Sequence, residues 1–381
     1  MRGVSKRFYA SVNTYDRFEV KFQSSDIGPM KLIARTIQSS NIISLQLFDY
    51  DQKRSVIQLF MGHFNIKEFS RLRSLAFCES SMTEIEQILR DININSLVTL
   101  TIDVYDRKDN VIPSSICQLI SRINIQKLDI PYWNYTDNIT PWSIESQLQY
   151  LSIQNCTFSE YHTILSSLNQ LRTFEINKCD MTHADKSISL YAASSSNDAK
   201  RQCISIEYRQ LISLTIHDGS MSAQDLEYLI LLTPSLTCLK LLSFGNIRDQ
   251  RFDGFYWEQF IQNNLRLLNK FQFYFVCSVF ELDFVNELTS IIQPFQNSFW
   301  INNKHWLVTC DYIVKSSRIS LYTTPTINNR RTESLALQLS STNPTFHFAR
   351  RLEQEVNISS IVQFLFQQIW ILFNSRSNIW M

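Results

Sequence analysis

The sequence predicts an α/β solenoid, with short parallel strands on a concave face and helices on a convex one. Three observations predict it. One string of apolar positions recurs along most of the chain. Helix-capping signals followed by apolar runs fall between the copies. The composition supplies core-forming residues throughout and no linker to break the array.

The string reads apolar, two residues, apolar, one residue, apolar, and repetition of such a unit is the mark of stacked supersecondary modules. Phe18, Val20 and Phe22 alternate as a lead-in strand. The first copies follow at Ile42/Leu45/Leu47, Leu72/Leu75/Phe77, Leu97/Leu100/Ile102 and Ile125/Leu128/Ile130. Two fuller copies come next: Leu148, Leu151, Ile153, Cys156 and Phe158, then Leu171, Phe174, Ile176, Cys179 and Met181. These match L-x-x-L-x-L-x-x-N/C-x-L, and the pattern resembles that of leucine-rich repeats. Three more copies, Leu211/Leu214/Ile216, Leu236/Leu239/Leu241 and Leu268/Phe271/Phe273, carry the array onward. Alternation within each copy buries one face of a strand, and the flanking apolar residues turn the chain across the core. Cysteine at the Asn/Cys position is expected to be structural, a small polarizable group inside the stack.

Between the copies, Thr83 with Glu86 reads as a capping box before Ile88 and Leu89, and Ser222 with Asp225 repeats the signal before Leu226 and Leu229. Ser159 is expected to cap a third helix carrying Ile164, Leu165 and Leu168. Residues 182–210, with Ser194–Ser196 and Asn197, read as an insertion at the surface. The expected organisation is a lead-in over 1–23, the repeat array over 24–295 and a C-terminal capping region over 296–381. In that last region Ile319–Thr323 and Leu335–Leu339 have strand periodicity, and Ile358–Phe373, too short and polar to span a bilayer, reads as a buried capping helix or, alternatively, an interfacial or partner-binding one.

With 381 residues the chain exceeds one ordinary single-core domain. Hydrophobic residues at 44% and charged residues at 19% argue against disorder, and 6 glycines and 8 prolines against collagen-like or turn-dense β folds. A formal net charge of +1 gives no global field to attract phosphate backbones or anionic membranes, so nucleic acid is not the expected partner. Eight cysteines never reach CxxC spacing and no two of the six histidines are at ligand spacing, so no metal or cofactor is expected. GxGxxG, Walker, HExxH, GxSxG and kinase signatures are missing, and the expected role is not enzymatic. The N-terminus has no signal-peptide pattern, which points to the cytoplasm or nucleus and makes the N-x-Ser/Thr sequons at Asn134, Asn138, Asn155 and Asn357 chance occurrences.

The opening Met1-Arg2-Gly3-Val4-Ser5-Lys6-Arg7-Phe8 resembles the last helix of an F-box. Asp253–Ile261, Leu268–Phe273 and Trp306–Tyr312 resemble stretches of F-box and leucine-rich-repeat proteins. The resemblance implies a substrate receptor of an SCF-type ubiquitin ligase, the F-box docking a Skp-type adaptor and the repeats holding the target. The Leu-Pro-x-Glu opening of the box is absent from this sequence, so a Skp-type adaptor is an expected partner only if an F-box lies upstream of Met1. The alternative is a leucine-rich-repeat scaffold or inhibitor with no ligase link.

In a parallel stack the residues between the buried positions form rows on the open face, roughly 4.8 Å apart. The expected partner-binding residues are Thr101, Asp103, Lys127, Asp129, Tyr150, Gln154, Glu175, Asn177, Thr215, His217, Lys240, Lys270 and Tyr274. Acidic residues concentrate in the first half of the rows and lysines in the second, which suits a protein ligand of mixed charge.

Overall fold

A computed structural model describes residues 17–23, 27–49, 55–92, 96–104, 114–121, 125–134, 147–181, 206–217, 221–245, 249–278, 284–313, 318–323, 333–340 and 347–352. The F-box-like opening, residues 182–205 of the expected insertion and the apolar segment 358–373 lie outside them. The chain is α/β, with mostly parallel strands and intervening helices. It divides into two compact units, Met1–Ala184 and Asp185–Met381, a boundary that falls inside the segment 24–295 expected to be one array.

The first unit runs β1 (Phe18–Gln23), α1 (Ile27–Thr36), β2 (Ile42–Phe48), α2 (Val56–Met61), β3 (Ser74–Ser80), α3 (Met82–Asp91), β4 (Thr99–Val104), α4 (Ser114–Ser121), β5 (Lys127–Asn134), β6 (Tyr150–Thr157), α5 (Phe158–Ser167) and β7 (Thr173–Asp180). Each strand pairs in parallel with the next. Every apolar string of the sequence therefore supplies one strand. Register aligns its central positions into a ladder, Val20–Leu45–Leu75–Leu100–Leu128–Leu151–Phe174, buried at every rung. A second buried ladder runs Phe22–Leu47–Phe77–Ile102 and resumes as Ile130–Ile153–Ile176. Each such side chain contributes about 1.5–3 kcal/mol by leaving water, and a one-residue slip would turn a whole strand's set outward.

The leading apolar residue of the string is also buried: Leu72, Leu97, Ile125, Leu148 and Leu171 all lie in the core just before their strands. Behind them a backbone device repeats. The Arg73 carbonyl accepts from the N–H groups of both Val98 and Thr99, Val98 serves Gln126 and Lys127 in the same way, Gln126 serves Gln149 and Tyr150, and Gln149 serves Arg172 and Thr173. One carbonyl thus fixes the entry of the next strand and satisfies two donors where the chain turns.

The helices follow their apolar spacing but two caps differ from expectation. In α3, Ile85, Ile88 and Leu89 are buried at i, i+3, i+4, yet the N-cap is Ser81, whose hydroxyl donates to the Glu84 carboxylate at 3.0 Å and leaves the Thr83/Glu86 box unused. In α5 the cap is Thr157 rather than Ser159: its hydroxyl accepts from Glu160 N–H (3.2 Å) while the Glu160 carboxylate accepts from Thr157 N–H (2.6 Å). The strand β6 ends at Thr157 and the helix starts at once, so the residue at the junction, not the first polar one after it, meets the orphan donors. Cys156 and Cys179 are buried opposite each other in the β6/β7 register.

The second unit contains β8 (Ser213–Ile216), α6 (Ala223–Leu231), β9 (Cys238–Gly245), α7 (Gly254–Asn264), β10 (Lys270–Ser278), α8 (Phe284–Ile292), β11 (Val308–Ile313), β12 (Arg318–Thr323), β13 (Glu333–Ser340) and β14 (His347–Leu352). Strands β8, β9 and β10 are parallel and reuse the shared-carbonyl entry, through Ile212 and Thr237. Ser222 caps α6 as expected, accepting from Asp225 N–H at 3.1 Å. After β10 the direction changes: β12 pairs antiparallel with β10, β11 lies antiparallel between β12 and β13, and β14 closes antiparallel on β13.

The core of this unit is aromatic. Trp257, Trp300 and Trp306 pack with Phe271, Phe273 and Phe295, and each indole N–H finds a backbone carbonyl, of Arg251 (3.0 Å), Gly254 (3.3 Å) and Asn269 (3.2 Å) respectively. Burial with the polar handle satisfied is how tryptophan enters a core. The absence of a side chain at Gly254 is required by packing, because a Cβ there would stand 2.8 Å from the Pro294 carbonyl carbon and 2.9 Å from its oxygen.

Candidate polar strand face

The buried ladders of the first unit leave the alternate positions of each strand on the opposite face. Register places Lys21, Gln46, Ala76, Thr101, Asp129, Ser152 and Glu175 in one row. Glu19, Ser44, Ser74, Thr99, Lys127, Tyr150 and Thr173 form the adjacent one. The densest part spans β5 to β7. There the Lys127 ammonium lies 4.4 Å from the Tyr150 ring centroid, within cation–π range. The Tyr150 hydroxyl in turn donates to the Glu175 carboxylate at 2.9 Å. Lys127 is exposed, and Asp129, Tyr150 and Glu175 are half-buried.

Electrostatics couples these groups. Burial first, and the Glu175 charge after it, push the Asp129 carboxyl up to about 6, against the opposing pull of the Ser152 hydrogen bond and Lys127. Burial, with Glu175 and Asp129 nearby, raises the Tyr150 phenol well above its ordinary value, so it remains a donor. The cluster therefore displays one cation, one fixed donor–acceptor pair and one carboxyl whose charge changes in the mildly acidic range.

Of the other expected contact residues in this unit, Thr101, Gln154 and Asn177 are half-buried, and Asn177 donates to the Pro131 carbonyl at 3.3 Å. Asp103 is buried instead of displayed, at 6% exposure. It lies where the β3/β4 register shifts between Phe77 and Ser80, which breaks the simple alternation. Neighbouring Cys78 has its thiol raised by burial and by Asp103.

In the second unit Thr215, Lys240 and Gln272 share a row, and Cys238 stands beside Lys270. Lys270 is exposed and Lys240 half-buried, but Thr215 and His217 are buried at 9% exposure each. The Tyr274 ring lies tilted beside that of Tyr322, 6.0 Å between centroids, with its hydroxyl 3.4 Å from that of Ser320. The antiparallel strands thus continue the polar face past β10 and bury it. Thr309, Asp311, Ser320 and Tyr322 are all buried, and the Tyr322 hydroxyl donates to Asp311 at 3.1 Å. Sequence reasoning did not find this Asp311–Tyr322 pair. Its only trace was a lone aspartate in the apolar run Trp306–Tyr312. The acidic half of the expected row accordingly belongs to the first unit and Lys240 and Lys270 to the second.

Among the described residues no group of three or more His, Cys, Asp and Glu side chains is placed to hold a metal ion, and no helix is long and apolar enough to cross a membrane. No protein-family model and no curated protein sequence matches the chain.

Proposed function

We propose that this chain is a protein-binding, non-enzymatic solenoid of the leucine-rich-repeat kind, acting in the cytoplasm or nucleus. Its strands form the concave face that holds a protein target and its helices the convex one. The observation that carries the reading is the register of the first unit. Seven consecutive parallel strands hold their apolar positions in buried ladders and so present rows of polar side chains at strand spacing. Lys127, Tyr150, Asp129 and Glu175 give such rows a charge pattern that selects a partner more than it adds affinity.

The further proposal, that the target is held for an SCF-type ubiquitin ligase, rests on the resemblance of Met1–Phe8 and the three internal stretches to F-box and leucine-rich-repeat proteins. Two experiments test the two levels separately. A photo-crosslinking side chain at Thr101 or Thr173 is expected to trap a protein in cells, and the same group at Ser166 on α5 is not. Equal trapping from both sides overturns the strand-face reading. Purified Skp-type adaptor mixed with the chain extended by the sequence encoded upstream of Met1 is expected to co-elute, and separate elution removes the ligase role while leaving the binding role.

A further inference from the structure

The second unit holds two long stretches without a carboxylate: none occurs between Glu258 and Glu281, and none between Glu287 and Asp311. Their basic residues are Arg266, Lys270, Lys304 and His305. The fold brings the two stretches together at the entry to β10 and β11. There the Lys304 ammonium donates to the Leu268 carbonyl at 2.8 Å, and the Trp306 indole to the Asn269 carbonyl at 3.2 Å. Lys304 also lies 5.2 Å from the centroid of the Trp306 ring. Beside these contacts two leucines are exposed, Leu267 at 57% and Leu307 at 39%. Arg266, Lys270 and His305 are exposed as well, and Lys304 is half-buried. We propose that this edge docks an acidic segment of another protein, one that carries apolar side chains among its carboxylates. It is a second surface, on the second unit alone, and does not rest on the strand-face reading of the first.

The argument is one of unanswered charge. Among the described residues no carboxylate forms an ion pair with Arg266, Lys270 or Lys304. Adjacent β9, tied to the start of β10 through the Thr237 carbonyl, carries Lys240 as its single charge. Ahead of β8, Glu207 is paired with Arg209 at 2.9 Å. Burial lowers the Lys304 ammonium from its ordinary value, and a carboxylate brought beside it opposes that penalty. The leucines leave water only against an apolar partner, and an apolar centre with a charged rim is the anatomy of a protein–protein contact. Other anionic partners fit less well. A membrane surface calls for a cluster of roughly four to eight lysines and arginines, and this edge has Arg266, Lys270 and Lys304. Single-stranded nucleic acid stacks its bases on open aromatic rings, and Trp306 is buried.

Fluorescence anisotropy of a labelled synthetic peptide, Glu-Leu-Glu-Glu-Leu-Glu, titrated with the full chain at low salt tests it. Binding is expected, and serine in place of both peptide leucines is expected to weaken it about tenfold. Arg266→Gln combined with Lys270→Gln is expected to weaken it about tenfold or more, and Leu267→Ser about threefold or more. All three side chains are exposed, so the melting temperature is expected to stay unchanged. Lys31→Gln, which removes an exposed cation of the first unit, is expected to leave the affinity as it was. In the unmodified chain, amide exchange of residues 265–270 and 301–307 is expected to slow when the peptide is added, a readout independent of any substitution. No binding of the peptide, equal affinity for the Arg266/Lys270 variant, protection confined to other segments, or a preference for phosphatidylserine vesicles over the peptide overturns the proposal.

Discussion

Replacing Asp129 by asparagine removes the charge change of the polar face without altering side-chain size. The carboxyl is held at about 6 in the folded chain against 3.8 for the ordinary group. Folded protein therefore holds this proton more tightly than the unfolded chain, and between pH about 4 and 6 it binds more protons. Stability then falls as pH rises through that window, because the unfolded state gains by ionising first. The contribution is present in full below pH about 4 and is lost above about 6. At about 1.36 kcal/mol per unit, a shift of roughly two units corresponds to at most about 3 kcal/mol. Solvent around a half-buried side chain on an open face reduces this to on the order of 1–2 kcal/mol. The assay is urea unfolding followed by far-ultraviolet circular dichroism at intervals from pH 4 to 7.5, for wild type and Asp129→Asn. The variant is expected to gain on wild type by that amount across the window, with the change centred between pH 4 and 6. Parallel curves over the whole range, or a variant that loses ground as pH rises, would refute the argument that burial and Glu175 burden this carboxylate.

Three other substitutions or reactions probe different layers. Gly254→Ala drives a methyl into the Pro294 backbone and against Phe295 Cδ1 at 3.0 Å, and about 1–3 kcal/mol of destabilisation is expected, read as a lowered melting temperature by tryptophan fluorescence. Thr157→Ala removes the hydroxyl that accepts from Glu160 N–H and leaves the backbone N–H that donates to the Glu160 carboxylate; it is expected to cost about 1 kcal/mol in urea unfolding, whereas Ser159→Ala, one residue further into the helix, is expected to be nearly silent, and the reverse order would refute the cap assignment. Burial pushes the Cys117 thiol up to about 11 from 9.0, so its alkylation by iodoacetamide at pH 8, located by mass spectrometry, is expected to be at least about a hundredfold slower in native protein than in urea.

The strands were legible because their signal is local. Val20 and Phe22, Leu45 and Leu47, or Leu151 and Ile153 sit two apart, and period two in an apolar string is already a half-buried strand. The aromatic core around Trp257, Trp300 and Trp306 was less legible. Those residues are far apart in sequence, and their indole N–H groups are satisfied by carbonyls of Arg251, Gly254 and Asn269 that no local pattern marks. The cap of α5 escaped for a smaller reason: Thr157, Ser159 and Glu160 form an ambiguous cluster, and only the end of β6 decides which of them stands at the junction.

The polar face shows the same division. Alternation alone assigned Lys127, Asp129, Tyr150 and Glu175 to one side of their strands. It did not bring the Tyr150 hydroxyl to Glu175, burden Asp129 with burial, or sink Asp103, Thr215 and His217 below the surface. By itself the sequence determined which residues face inward, since that follows from a two-residue period and the cost of leaving apolar side chains in water. The tertiary structure alone decided which outward residues meet and which are covered, because strand register, the β4 shift and the antiparallel turn after β10 arise from pairings between segments distant in the chain.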